Sequence, residues 1–136
     1  MTKHGGCLCK RVTFTVEHVS LEHDACHCGM CRKLFGGSPF FSAAARGVAF
    51  TGEDHITRYD SSPWAQRGFC NVCGTALFYF LKPARTYMMS VGAFDDSSEF
   101  RLVREIFIDR KPDGYAFVGD HPRWTEVETL ERLAPK

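Results

Sequence analysis

The sequence has almost no net charge: 17 Lys and Arg stand against 16 Asp and Glu, a formal +1. A protein that holds nucleic acid by neutralising many phosphates needs a basic excess, so that class of partner is not expected. A long hydrophobic run is missing too. The widest stretch free of charge, Gly68 to Leu81, is interrupted by Asn71 and Gly74 and is too short to span a bilayer. Met1 to Val12 holds Lys3, His4, Lys10 and Arg11 with no apolar segment behind them, so no secretory signal is expected. The Walker loop, the nucleophile elbow and the dinucleotide fingerprint are absent, and Gly36-Gly37-Ser38 is too little to cradle a phosphate. These absences leave a soluble, cytoplasmic chain as the expectation, with neither membrane nor nucleic acid as a partner.

What is present fits one core. With 44% of 136 residues hydrophobic, roughly 60 apolar side chains are available, enough for a single domain over 1–136 and too few for two. Aromatics at 13% exclude a disordered chain. Val12, Phe14 and Val16 alternate with Thr13 and Thr15, the period of a half-buried strand. Further strands are expected at Pro39–Ala43, Val48–Thr51, His55–Tyr59, Ala76–Phe80, Tyr87–Val91, Phe100–Val103 and Glu105–Ile108, most of them bounded by turn-forming residues. The reading is mainly β with antiparallel sheets and one or two short helices. One helix is expected over Gly29–Phe35, stopping at Gly36-Gly37. Another follows Thr125, where Thr125 and Glu128 form a capping box ahead of Val127, Leu130 and Leu133. That tail helix can pack on its own domain or on a second subunit as a homodimer, and both stay open.

Seven cysteines carry most of the information. They fall in three clusters: Cys7 with Cys9; Cys26, Cys28 and Cys31; and Cys70 with Cys73. In a reducing compartment an odd number of clustered thiols points to ligands or nucleophiles, not disulfides. Thiolate is the favoured zinc ligand, and a closed structural site takes four. Seven divides into four, which close one tetrahedron, and three, which leave a position open to water or an incoming thiol. Two zinc ions per chain are therefore expected. Gly74, just after the last cysteine, suits a knuckle turn that needs positive φ. A helix beginning at Gly29 would aim amide groups at Cys26 and Cys28 and favour their thiolates.

The thiols admit other readings. A redox pair leaves five cysteines unexplained and lacks a βαβ context. Inert buried thiols would not cluster. An iron–sulfur cluster takes three or four thiols. His27, lying between two cysteines, offers a fourth ligand that would make the second site structural, although its backbone position turns the ring aside. Spacing alone does not say which cluster pairs with which.

Three groups of residues bring a known family into view. Gly5-Gly6-Cys7-Leu8-Cys9, the run Cys26-His27-Cys28-Gly29-Met30-Cys31-Arg32-Lys33, and Arg67-Gly68-Phe69-Cys70-Asn71-Val72-Cys73-Gly74-Thr75 resemble the signatures of the glutathione-dependent formaldehyde-activating family, which includes the centromere protein V type domains. Ser90 through Asp96, Glu105-Ile106-Phe107 and Lys111 through Tyr115 are similar to its later blocks. The resemblance implies a β-tent fold. It implies that Cys7, Cys9, Cys70 and Cys73 hold a structural zinc and that Cys26, Cys28 and Cys31 hold a catalytic one. It also implies a carbon–sulfur lyase activity in which glutathione adds reversibly to formaldehyde or a related small aldehyde.

Departures and accessory residues complete the reading. Lys10 stands where the family often has glycine, so a different turn is expected after Cys9. Arg32, Lys33, Arg110 and Lys111 can offset the charge of the thiolates or meet the carboxylates of a glutathione-like substrate, and Tyr115 with Phe117 can floor its pocket, although packing in the core is their plainer role. For any one of the cations, ordinary surface charge is the plainer role. His4, His18, His23, His55 and His121 read as surface or strand residues, and Met88-Met89 as core. The rival to an enzyme is a non-catalytic zinc domain used for protein contact.

Overall fold

The computed structural model describes residues 2–133, which fall into two compact units. In chain order the strands are β1 (Lys3–Gly6), β2 (Thr13–Val19), β3 (Glu22–Cys26), β4 (Phe40–Thr51), β5 (Ile56–Ser62), β6 (Ala65–Cys70), β7 (Ala76–Leu81), β8 (Thr86–Ser90) and β9 (Arg101–Ile106). The helices are α1 (Gly29–Leu34) and α2 (Glu126–Leu133). No helix among the described residues is long and apolar enough to cross a membrane.

The first unit holds residues 2–21 and 42–100. Its strands lie in the order β1-β2-β4-β8-β7-β6-β5, every neighbouring pair antiparallel. The alternation read in the sequence sets the buried face: Val12, Phe14 and Val16 are buried, Thr13 and Thr15 exposed. Leu77 and Met89 are fully enclosed with them. Phe14 meets Phe94 edge-on at 5.2 Å, and Phe78 meets Tyr87 in the same way at 4.9 Å. Gly68 of β6 pairs with Phe78 of β7, whose ring occupies the space a Cβ at Gly68 would take. A larger residue there would displace the strand that ends at Cys70.

The second unit holds residues 22–41 and 101–133. Here β3 and β9 pair in parallel, from Glu22 opposite Arg101 to Cys26 opposite Ile106. This is an exception to the antiparallel expectation. Asp24 and Arg104 join the two strands through a bidentate pair at 2.6 and 3.1 Å. Helix α1 ends where expected, with the Gly37 N–H on the Arg32 carbonyl at 2.7 Å. The capping box of α2 is reciprocal: the Glu128 N–H reaches Thr125 Oγ1 at 3.2 Å, and the Thr125 N–H reaches Glu128 Oε1 at 3.1 Å.

Several elements differ from the sequence expectation, each for a local reason. β1, β3 and β6 are too polar or glycine-rich to show an apolar alternation. The strands expected at Pro39–Ala43 and Val48–Thr51 are one, because β4 pairs with β8 near its start and with β2 further along. Those expected at Phe100–Val103 and Glu105–Ile108 merge into β9, which ends where Phe107 adopts a left-handed backbone, φ 56°. The apolar residues Val127, Leu130 and Leu133 of α2 are exposed. The helix is instead anchored through buried Thr129, whose hydroxyl donates to the Thr125 carbonyl at 2.7 Å and accepts from the Phe107 N–H at 3.3 Å.

Candidate metal centres

In the first unit Cys7 and Cys9 lie just after β1, and Cys70 and Cys73 lie at and beyond the end of β6. The four sulfurs lie within 4.8 Å of one another. Cys7 Sγ is 3.5 Å from Cys9 Sγ, and Cys9 Sγ is 3.8 Å from Cys70 Sγ. A tetrahedron with metal–sulfur bonds of about 2.3 Å has edges of about 3.8 Å, so the set fits zinc. Backbone amides converge on the sulfurs: the Val12 N–H on Cys7 at 3.3 Å, and the Val72 and Cys73 N–H groups on Cys70 at 3.4 and 3.5 Å. Both knuckles close through left-handed residues. Gly74 has φ 80°, and its N–H bonds the Cys70 carbonyl at 2.8 Å. Lys10 has φ 66°, and its N–H bonds the Cys7 carbonyl at 3.1 Å. The different turn expected at Lys10 is therefore not found: lysine adopts the conformation glycine would, at a cost of roughly 1–2 kcal/mol.

Thr75 ties the two knuckles together. Its hydroxyl accepts from the Leu8 N–H at 3.0 Å and lies 3.2 Å from Cys73 Sγ, placed to donate its own proton there. The hydroxyl and backbone of Thr75 hold the Cys73 thiol well below its usual range, at about 5. The Arg11 amide lowers Cys9, whereas burial pushes Cys7 up.

In the second unit Cys26 ends β3, Cys28 caps α1, and Cys31 lies buried inside its first turn. Cys28 Sγ accepts the Cys31 N–H at 3.3 Å, so an amide of this helix faces Cys28, one of the two thiols it was expected to face. The three sulfurs also lie within 4.8 Å of one another. The Cys28 and Cys31 thiols beside it, together with burial, push Cys26 far above its ordinary range. Three ionised sulfurs cannot share so small a volume without a cation, so this donor set too suits a soft metal.

His27 does not complete that set. Its ring is fully buried, with Nε2 2.7 Å from Glu105 Oε1 and Nδ1 2.9 Å from the Tyr115 hydroxyl. Both nitrogens are thus occupied, and burial keeps the imidazole pKa low. With Nε2 donating to the carboxylate, Nδ1 accepts from Tyr115. Glu105 also receives His121 Nε2 at 2.6 Å and Arg123 Nε at 2.8 Å on its second oxygen. Burial alone would raise this carboxyl, but the hydrogen bonds from His121, His27 and Arg123 outweigh it and hold it low.

The remaining candidates divide. Arg32 donates from Nε to the His27 carbonyl at 3.0 Å, beside the thiols. Tyr115 and Phe117 pack on the His27 ring, with centroids 5.6 and 6.0 Å away. Lys111 bonds the Pro112 and Tyr115 carbonyls and bridges its own segment. Lys33 is exposed on α1, and Arg110 pairs with Glu126 at 3.0 Å on the surface. The sequence reading missed Glu105, Arg123 and His121. His121, expected on the surface or in a strand, is largely buried in a loop against Glu105. The one available signal was a charged residue in the middle of a strand-forming run, which has meaning only once its partners are in place.

Residues 2–110 match the family described as glutathione-dependent formaldehyde-activating enzyme. An uncharacterized lyase of Schizosaccharomyces pombe is 27% identical over 131 residues, 95% of each chain. A Rhodobacter sphaeroides protein of known crystal structure shares the fold, with a TM-score of 0.59 and 21% identity over 90% of this chain and 99% of its own. The family match spans all three cysteine clusters and all nine described strands, so this chain belongs to the glutathione-dependent formaldehyde-activating family.

Proposed function

We propose that the protein is a zinc-dependent carbon–sulfur lyase that makes and breaks the adduct between a small thiol, glutathione in the first instance, and formaldehyde or a related small aldehyde. Family membership and the lyase relative support the reaction class. The observation that carries the reading is the three-thiol set: Cys26, Cys28 and Cys31 converge, while the neighbouring His27 spends both ring nitrogens on protein partners. Zinc held there would lower a thiol's pKa or polarise a carbonyl. Cys7, Cys9, Cys70 and Cys73 would hold the second, structural ion.

In the synthetic direction the sulfur–carbon bond forms as a thiolate adds to the carbonyl carbon, and the proton lost by the thiol ends on the new hydroxyl oxygen. Atoms balance without an oxidant or reductant. Arg32, anchored through Nε to the His27 carbonyl, turns its remaining donors to a substrate carboxylate. Lys33 adds positive charge on the same helix, and Lys111 holds Tyr115 in place beside the His27 ring.

The test is exchange NMR of glutathione with formaldehyde and other small aldehydes. Exchange above the uncatalysed background, lost in Cys28→Ser, is expected; background exchange with every thiol and aldehyde would overturn the reading. A second reading, a zinc-stabilised domain for protein contact, rests on the exposed Val127, Leu130 and Leu133 of α2.

A further inference from the structure

We infer that Glu105 is a positioning residue for the three-thiol site, acting through His27 on the sulfurs to either side of it. The inference rests on the reading that Cys26, Cys28 and Cys31 bind a metal. His27 is the single residue between Cys26 and Cys28, and four bonds fix it. Its N–H reaches the Ile106 carbonyl at 3.0 Å, and its carbonyl accepts Arg32 Nε at 3.0 Å. Its ring is clamped by Glu105 at 2.7 Å and by the Tyr115 hydroxyl at 2.9 Å. Consecutive Cα atoms are about 3.8 Å apart across a trans peptide, so a residue held at backbone and ring leaves its two neighbours little freedom.

The clamp is itself braced. The second carboxylate oxygen of Glu105 is held by His121 and Arg123, and Arg123 Nη2 donates to the Phe117 and Gly119 carbonyls at 2.9 and 3.0 Å. The Glu105 N–H bonds the Pro122 carbonyl at 3.0 Å, and the Trp124 N–H bonds the Glu105 carbonyl at 2.9 Å. Tyr115, Phe117, His121 and Arg123 all lie beyond residue 110, where the family match ends. The geometry of the thiol site therefore depends on a segment outside that match, with Glu105 as the link. The competing role for a buried carboxylate with three donors is to hold the fold alone. The two roles separate because the four-thiol site of the first unit is a built-in control.

The experiment is cobalt(II) titration of the full chain, read by ligand-field absorbance and chelator competition, with Cys28→Ser assigning the bands of the three-thiol site. Glu105→Gln removes the charge and keeps the shape. It is expected to weaken cobalt at the three-thiol site about 10- to 100-fold and to shift its bands, leaving the four-thiol site unchanged. Tyr115→Phe removes one hydroxyl from the same clamp and is expected to give a smaller loss at the same site; it decides the matter if Glu105→Gln does not fold. Unchanged cobalt binding in the folded variants, or equal weakening at both sites, overturns the inference. A wild-type chain that takes up one cobalt equivalent only would overturn the metal reading beneath it.

Discussion

Nε2 of His27 and Oε1 of Glu105, 78 residues apart in the chain, lie 2.7 Å from each other with both side chains almost wholly out of solvent. That contact separates the ring from the cysteines on either side. A histidine inside a cysteine cluster is ordinarily a candidate ligand; here it is a pin holding the cluster's backbone. The three-thiol set is left with no histidine completing it among the described residues.

The two thiol sets should respond differently to loss of one sulfur. Cys28→Ser is expected to fold, by circular dichroism, while binding one metal fewer. On the proposed assignment of a structural zinc to the four-thiol set, an ion worth about 10–16 kcal/mol, Cys70→Ser, which removes a fully buried thiol, is expected to unfold the chain. A folded Cys70→Ser protein with one metal lost would reverse the assignment of roles.

Thr75→Val should weaken the four-thiol site about tenfold or more, because it removes both the proton offered to Cys73 and the acceptor for the Leu8 amide. Thr75→Ser, which keeps the hydroxyl, should recover most of the affinity. Competition with a chromophoric chelator measures both, and equal affinities for Val and Thr would exclude the hydroxyl's part.

Lys10→Gly should stabilise the protein. Lysine at φ 66° carries strain that glycine lacks, and the gain, after the extra chain entropy of unfolded glycine, is about 0.5–1 kcal/mol. Urea unfolding of the metal-loaded variant checks it; a lower midpoint would show that the lysine side chain contributes more than the backbone loses.

His23 gives the pH dependence a sign. Burial in β3, against Phe41, lowers its pKa, so it is neutral in the fold and titrates in the unfolded chain at about 6.5. Below that pH the unfolded state binds the proton and gains stability, so native stability falls with decreasing pH, by at most about 1.4 kcal/mol per unit. His23→Gln cannot take that proton. The wild type should lose stability relative to His23→Gln as pH drops from about 7.5 to about 5.5, and a constant difference would show that His23 is not neutral in the fold.

How much could be read before folding depended on whether the signal was local. The alternation at Val12, Phe14 and Val16 is a consequence of strand geometry and appears wherever one face is buried. The Thr125–Glu128 box and the stop at Gly36-Gly37 are likewise set by neighbours a few residues apart. Cysteine spacing within each cluster showed which thiols lie side by side, but not which clusters meet. By contrast, β1, β3 and β6 take their extended form from the strands beside them, and β4 is continuous because two different partners hold its two ends.

By itself the sequence determined a mainly β protein with short helices and three groups of metal-type thiols, because those properties follow from residue type and short spacing. The tertiary structure brings Cys7 and Cys9 to Cys70 and Cys73, a grouping that spacing left open and the family resemblance implied, and it alone decided that the ring of His27 turns to Glu105 and that His121 and Arg123 hold that carboxylate. Those contacts join residues far apart in the chain, and strand register rather than local propensity brings them together.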